Sequence, residues 1–201
     1  MNGLLVAIKS EIFVALRTFA SKLIVTAPAL VAATQLILVK LTEAGQQTRD
    51  SILGGSSFEQ SVANNAYGFF VDGLTTGLTM LGLLLVAQGA YSFSYDRDVG
   101  SIRHLLIRRV SRSSVLTAKL IHLHLLALLS VLLLLTTSYL LSGMLWEYGA
   151  IVEDGFELIS EQEIREEIGL GLRLALVPLP AAIALGLLIS VSTQSATQAV
   201  T

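Results

Sequence analysis

The sequence has no cysteine, only three prolines and few charges, and these shortages narrow what the protein can be. Without cysteine there is no disulfide framework, thiolate nucleophile or cysteine-based metal site. Charged residues make up 14% of the 201 residues and hydrophobic residues 53%, whereas soluble domains are about a quarter charged. The apolar residues are concentrated in four blocks, which predicts an all-α polytopic membrane protein.

No residue pattern predicts catalysis. A phosphate-binding loop needs a glycine-rich run before Lys-Ser, but Lys9 follows Ile8 instead. His122 and His124 would point to opposite sides of a helix, so they cannot share a metal ion, and we expect them at the membrane interface. No acid or base lies in the middle of a block, which argues against a proton relay. We expect no catalytic residue, no cofactor, no metal and no nucleic-acid partner.

The four blocks predict an N-terminal amphipathic surface helix followed by four transmembrane helices. Apolar residues recur at helical spacing over residues 1–22, although a frayed cytoplasmic tail is the alternative there. The predicted segments are a surface helix at 1–22, spans at 23–40, 73–95, 120–146 and 174–196, connections at 41–72 and 147–173, and a basic loop at 96–119.

Charge alternates along these segments and predicts their topology. The net charge is +2 over 1–22 and +4 over 96–119. It is -2 for the first connection counted with Lys40, and -6 for 147–173. Short basic loops stay in the cytoplasm, so we expect the N-terminus and the 96–119 loop in the cytoplasm and the connections at 41–72 and 147–173 outside it. We expect the protein to lie in the inner cell membrane.

Local patterns refine this topology. Ser160 and Glu163 form a capping box, so the acidic connection is expected to contain a solvated amphipathic helix rather than a calcium loop. Pro178 and a second proline two residues later predict a bent or broken start to the fourth span. Gly73 and Gly77 form a Gly-x-x-x-Gly pair that predicts close helix packing, within one protomer or across a dimer.

The basic loop holds six of the thirteen Lys and Arg residues. Gly100 and Ser101 are expected to start a short helix, with Ser101 as its N-cap. Ile102, Leu105 and Leu106 then form an apolar strip, and Ser113 or Ser114 is expected to cap a second helix that leads into the third span. The alternative is a hairpin whose arginines only contact anionic lipid headgroups.

This loop resembles the loop after the second span in permease subunits of ABC transporters of the second, export type. The family pattern is an acidic residue, Gly-Thr, paired leucines, Pro-Val-Ser-Arg and a lysine that enters the next span. The matching residues are Asp98, Gly100, Ser101, Leu105, Leu106, Val110, Ser111, Arg112 and Lys119. Ser101 replaces the usual threonine, Arg109 stands where proline is usual, and Ala118 stands where glycine is common.

The resemblance implies a coupling helix that docks on a separate cytoplasmic ATPase subunit. Ile102, Leu105 and Leu106 would be its packed contacts, and Arg109 and Arg112 would lie at the rim or contact headgroups. Such permeases have no catalytic residues of their own, lie in membrane lipid, work as homodimers or heterodimers, and usually have six spans. We therefore expect the protein to continue into further spans after Thr201.

The sequence leaves a second function open. The chain could instead be a non-transporting membrane anchor or assembly subunit that recruits a cytoplasmic partner through its basic loop. A membrane-embedded enzyme is the weakest interpretation, since convergent acids or histidines at membrane depth are lacking. The mildly polar residues of the spans do not distinguish one transported substrate from another.

Overall fold

The computed structural model describes residues 3–53, 65–98, 100, 111–153 and 156–193, and the fold is 89% helical. In chain order the elements are α1 (Gly3–Arg17), α2 (Phe19–Leu53), α3 (Ala66–Asp98), α4 (Arg112–Leu145), β1 (Ile151–Glu153), β2 (Phe156–Ile159), α5 (Glu161–Leu176) and α6 (Pro178–Ser192).

Four helical stretches are long and apolar enough to cross a membrane, at Phe19–Gln46, Ala66–Asp98, Ser113–Leu145 and Glu161–Ser192. At about 1.5 Å per residue, each exceeds the roughly 30 Å of a bilayer's hydrocarbon core. The predicted all-α membrane fold, with one amphipathic helix before four spanning helices, is confirmed. The helices also run past the predicted spans: α2 continues to Leu53, and α3 begins at Ala66.

The N-terminal helix is shorter than the predicted 1–22. It ends at Arg17, and α2 starts at Phe19. At the interruption, the side chain and the backbone N–H of Thr18 both donate to the carbonyl of Val14, at 2.7 and 3.0 Å.

The predicted acidic connection contains more structure than one helix. An antiparallel hairpin pairs β1 with β2, with Val152 opposite Glu157. The capping box after it is confirmed: the backbone N–H of Ser160 donates to Glu163 Oε2 at 3.0 Å, and that of Glu163 donates to Ser160 Oγ at 3.3 Å. The helix that follows is interrupted at Val177, just before Pro178, as the prolines predict.

The chain divides into two compact units. Unit 1 comprises Met1–Ala27, Thr79–Val131 and Val177–Thr201, and unit 2 comprises Pro28–Leu78 and Leu132–Leu176. The long helices α2, α3 and α4 each contribute residues to both units.

Unit 1 packs through small residues. Ala7 of α1 is buried against Val115 and Ala118 of α4. Where α3 meets α6, a Cβ on Gly89 would lie 3.1 Å from Gly186 Cα, so the two backbones are nearly in contact. Glycine is required for such an approach because any side chain would separate the helices.

Polar contacts reinforce the α3–α6 contact in unit 1. The hydroxyl of Ser190 accepts from the backbone N–H groups of Phe93 and Ser94, at 3.0 and 2.9 Å. Arg97 Nη2 donates to the carbonyl of Thr193. In a membrane, bonds between helices matter because lipid offers polar groups no alternative partner.

Unit 2 places the predicted glycine pair at a helix contact. A Cβ on Gly73 would lie 3.3 Å from both Leu36 Cδ1 and Ser138 Oγ, and one on Gly77 would overlap Leu134. The surrounding apolar cluster is built from Ala32, Phe70, Leu74 and Leu134, with Leu78, Leu135, Ile168 and Leu172 packed against it. Within one chain, these glycines let α3 approach α2 and α4 closely.

Replacing Gly186 with alanine tests the α3–α6 contact. The new Cβ would lie 2.7 Å from the carbonyl oxygen of Val86, a backbone atom that cannot move away alone. We expect Gly186→Ala to destabilise the protein by about 1–3 kcal/mol, measured by thermal unfolding in detergent. Gly82→Ala is the matched control, because a Cβ there meets no atom within 4 Å and alanine favours the helix. Equal melting temperatures for the two variants would contradict the close contact.

Candidate functional site

A buried lysine joins three helices of unit 1. The Lys119 side chain is only 3% exposed. Its Nζ lies 3.0 Å from Glu11 Oε1 of α1 and 2.5 Å from Asp96 Oδ2 of α3, and it donates to Ser92 Oγ at 3.1 Å. We call these four residues the Lys119 junction.

Helix geometry explains how these side chains meet. Ser92 and Asp96 are four residues apart on α3 and therefore lie on one face. Val115, Ala118 and Lys119 bring one face of α4 to α1, where the small side chain of Ala7 allows close packing. A lysine has three N–H donors, and the three partners use all of them.

The energetics of the junction are asymmetric. A buried ammonium needs paired carboxylates, because removal from water costs several kcal/mol per ion. The ion pairs of Lys119 therefore add little net stability, but removal of one partner leaves an uncompensated charge. The effect of the Lys119 junction is to fix which faces of α1, α3 and α4 meet.

The junction lines a cleft of about 410 Å³ in unit 1. Polar and charged groups from four helices contribute to its lining: Ser10, Glu11, Thr18, Ser21, Gln88, Tyr91, Ser92, Tyr95, Asp96, Lys119 and His122.

The junction lies at both ends of the predicted coupling loop. Asp98 is the last residue of α3, and Gly100 has a φ of 77° with its N–H bonded to the carbonyl of Arg97 at 3.1 Å. The left-handed conformation of Gly100 closes the helix, as glycine does at many helix ends. Arg112 is the first residue of α4.

Most of the predicted docking residues lie outside the described residues, namely Ser101, Ile102, Leu105, Leu106 and Arg109, as does the Arg112 side chain. The predicted cap of the next helix was wrong by two or three positions. Ser111, and not Ser113 or Ser114, caps α4: its hydroxyl accepts from the backbone N–H of Ser114 at 3.1 Å.

The two histidines of α4 have different surroundings. His124 Nδ1 is 2.8 Å from the carbonyl of Leu120 in its own helix. His122 is 8% exposed and lines the cleft, so it lies inside unit 1 rather than on its surface.

The sequence did not indicate that His122, Glu11 and Asp96 belong to one site. The available signal was a lysine within an apolar helix, which requires a carboxylate from another helix.

Unit 2 carries a separate polar network. The Tyr67 hydroxyl donates to Glu161 Oε1 at 2.6 Å and accepts from Arg165 Nε at 2.7 Å, while Arg165 also bonds Glu161. Burial, with repulsion from the neighbouring Tyr139 and Tyr67, raises the pKa of Tyr148 to about 12. Tyr148 therefore stays protonated and donates to the carbonyl of Tyr139 at 2.7 Å. The side chains of this network bond one another, which is typical of a structural role.

A second contact in unit 2 involves Trp146. Its indole N–H donates to Glu43 Oε2 at 2.9 Å, and its ring stacks on Phe69 with centroids 3.9 Å apart. Lys40 lies 4.9 Å from the same ring. Amphipathic aromatic side chains of this kind are common where spanning helices meet the membrane–water interface.

The fold defines the chain as an all-α membrane protein with four helices able to span the membrane. Residues 31–201 match a family described as a protein of unknown function, DUF2705, and the chain belongs to that family. No curated protein and no solved structure matches the chain.

Substitution of Lys119 by methionine tests the junction. Glu11 and Asp96 would then lose the ammonium of Lys119, and we expect a loss of about 3–5 kcal/mol in unfolding free energy. The triple variant with Lys119→Met, Glu11→Gln and Asp96→Asn removes every charge and should be more stable than Lys119→Met alone. Thermal unfolding of the purified variants measures both. A triple variant less stable than the single one would contradict the buried ion pairs.

Proposed function

We propose that the chain is the membrane permease subunit of an ABC transporter, which moves a substrate across the membrane using ATP hydrolysed by a separate cytoplasmic ATPase subunit. The observation that carries this proposal is the position of the Lys119 junction. It connects α3 to α4 at the two ends of the loop that resembles a coupling helix, and it adds α1 to them.

The junction suits the transmission of force. Asp96 precedes the loop and Lys119 follows it, and their side chains are 2.5 Å apart. A displacement of the loop would therefore move the adjoining ends of α3 and α4 together, with α1 attached through Glu11. Rigid-body movement of packed elements is a common way in which a local change reaches distant parts of a protein.

Hydrogen bonds also connect the end of the fourth span to α3. Arg97, which follows Asp96 in the sequence, donates to the carbonyl of Thr193, and the hydroxyl of Ser190 accepts from the backbone N–H of Ser94. A movement that begins at the loop would thus extend to α6. A membrane anchor that only recruits a partner does not require this connection, so the arrangement favours the permease over the anchor.

The docking contacts follow from the loop's sequence. Ile102, Leu105 and Leu106 would pack into a groove of the ATPase, and Arg109 and Arg112 would contact its rim or anionic headgroups. The glycine at 100 turns the chain out of α3 and so sets where the docking segment starts. In this proposal a second permease protomer, identical or different, completes the transport route, and the N-terminus is cytoplasmic.

Replacing Leu105 and Leu106 with aspartate tests the docking assignment. Two carboxylates cannot be buried in an apolar groove without a large cost, so co-purification of the ATPase should fall by at least about tenfold. The chain is tagged, extracted with crosslinking from its native membrane, and its partners are quantified by mass spectrometry.

The control replaces both leucines with methionine, which keeps the side chains apolar and of similar volume. This control should retain the ATPase at the level of the unmodified chain. Equal recovery of the ATPase by the aspartate variant would overturn the coupling-loop assignment. If the unmodified chain instead retains another cytoplasmic protein and no ATPase, it is an anchor.

A further inference from the structure

The β-hairpin of unit 2 exposes large apolar side chains. All four residues of β2 are exposed. Phe156 and Leu158 lie on one face of this strand, because side chains alternate between faces, and they are 76% and 57% exposed. Val152 on β1 is 51% exposed. A two-stranded hairpin is only marginally stable in water, so an apolar environment for these side chains would stabilise it.

Contacts at both ends hold the hairpin beside the start of α3. Before β1, Asn65 Nδ2 donates to the carbonyl of Gly149 at 2.7 Å, and the ring of Tyr148 lies 4.6 Å from that of Tyr67. After β2, Glu161 Oε1 accepts from the Tyr67 hydroxyl at 2.6 Å. The hairpin therefore begins and ends at one place in unit 2, next to Tyr67.

That place is an end of three spanning stretches. Ala66–Asp98 begins there, Ser113–Leu145 ends before the hairpin, and Glu161–Ser192 begins after it. Tyr67 and Trp146 directly adjoin or open these ends, and tyrosine and tryptophan are the residues enriched at membrane–water interfaces. A strand of four residues reaches only about 13 Å, so the hairpin stays close to that interface.

We propose that this hairpin lies in the headgroup region of the membrane, with Phe156 and Leu158 facing the lipid and Glu157 facing the water. The bilayer that surrounds the spanning helices is then also the apolar environment of the hairpin. This surface belongs to unit 2 alone, and the proposal does not depend on an ATPase partner.

The composition of the hairpin fits the headgroup region and not the hydrocarbon core. The register pairs Glu153 with Phe156 and Glu157 with Val152, so acids are interspersed with apolar residues. Carboxylates are costly in hydrocarbon, and the unpaired backbone groups at the edges of a hairpin are not tolerated there. In the hydrated headgroup region, water reaches the acids and the strand edges while apolar side chains enter the lipid.

Spin labels on the hairpin test its position. The chain has no cysteine, so Phe156→Cys, Glu157→Cys and Leu158→Cys can each be labelled singly in the full chain, in phosphatidylcholine nanodiscs. Power saturation measures collisions with oxygen, which concentrates in lipid, and with a nickel chelate, which stays in water. We expect the oxygen-to-nickel ratio at positions 156 and 158 to be at least about threefold that at 157, as for apolar side chains at the acyl boundary.

Two results would overturn the proposal. Equally high nickel access at the three positions would mean that the hairpin stands in water. Shielding of the labels at 156 and 158 from both reagents would mean that protein, such as a second copy of the chain, covers this face.

A charge placed on the lipid face provides an independent test. Phe156→Asp should raise nickel collisions of a label at Leu158→Cys by about threefold, because a carboxylate draws the hairpin towards water. Glu157→Asp, with the same label, is the matched control: it keeps the charge on the opposite face and should leave the collisions unchanged. An equal change in both variants, or a change in neither, would contradict the proposed orientation.

Discussion

The burial of the Lys119 ammonium group is the main constraint on how α1, α3 and α4 pack in unit 1. Lys119 lies within an apolar helix and is almost inaccessible to solvent, so its charge is tolerable only beside carboxylates. Glu11 and Asp96 supply them from two other helices. The apolar contacts of Ala7 with Val115 and Ala118 join α1 to α4, and the ion pairs add α3. The junction thus provides specificity of packing in a membrane, where apolar surfaces alone distinguish little.

That constraint also links the loop to the spanning helices. Because Asp96 and Lys119 flank the loop, its two ends are fixed relative to each other and to α1. The junction also lines a cleft to which α1, α2, α3 and α4 all contribute residues.

Features set by neighbouring residues could be predicted from the sequence. The four apolar blocks give the four long helices, Ser160 and Glu163 give the capping box, and Pro178 gives the break before α6. The β-hairpin was missed, although Asp154-Gly155 between apolar pairs is a known hairpin signal. The Lys119 junction could not be derived, because its members are far apart in sequence and helical periodicity does not specify which faces meet. The same holds for the close approach of Gly89 to Gly186, which lie on different helices.

The most direct test of this account is a distance measurement between α1 and α4 in the membrane. The chain has no cysteine, so Lys9→Cys and Leu116→Cys, both at exposed positions, can be spin-labelled without background. Double electron–electron resonance in nanodiscs should give one narrow distance distribution for the labelled chain. Adding Lys119→Met should broaden it, since α1 loses its ionic attachment. An equally narrow and unshifted distribution in the Lys119→Met variant would contradict the claim that the buried lysine holds these helices together.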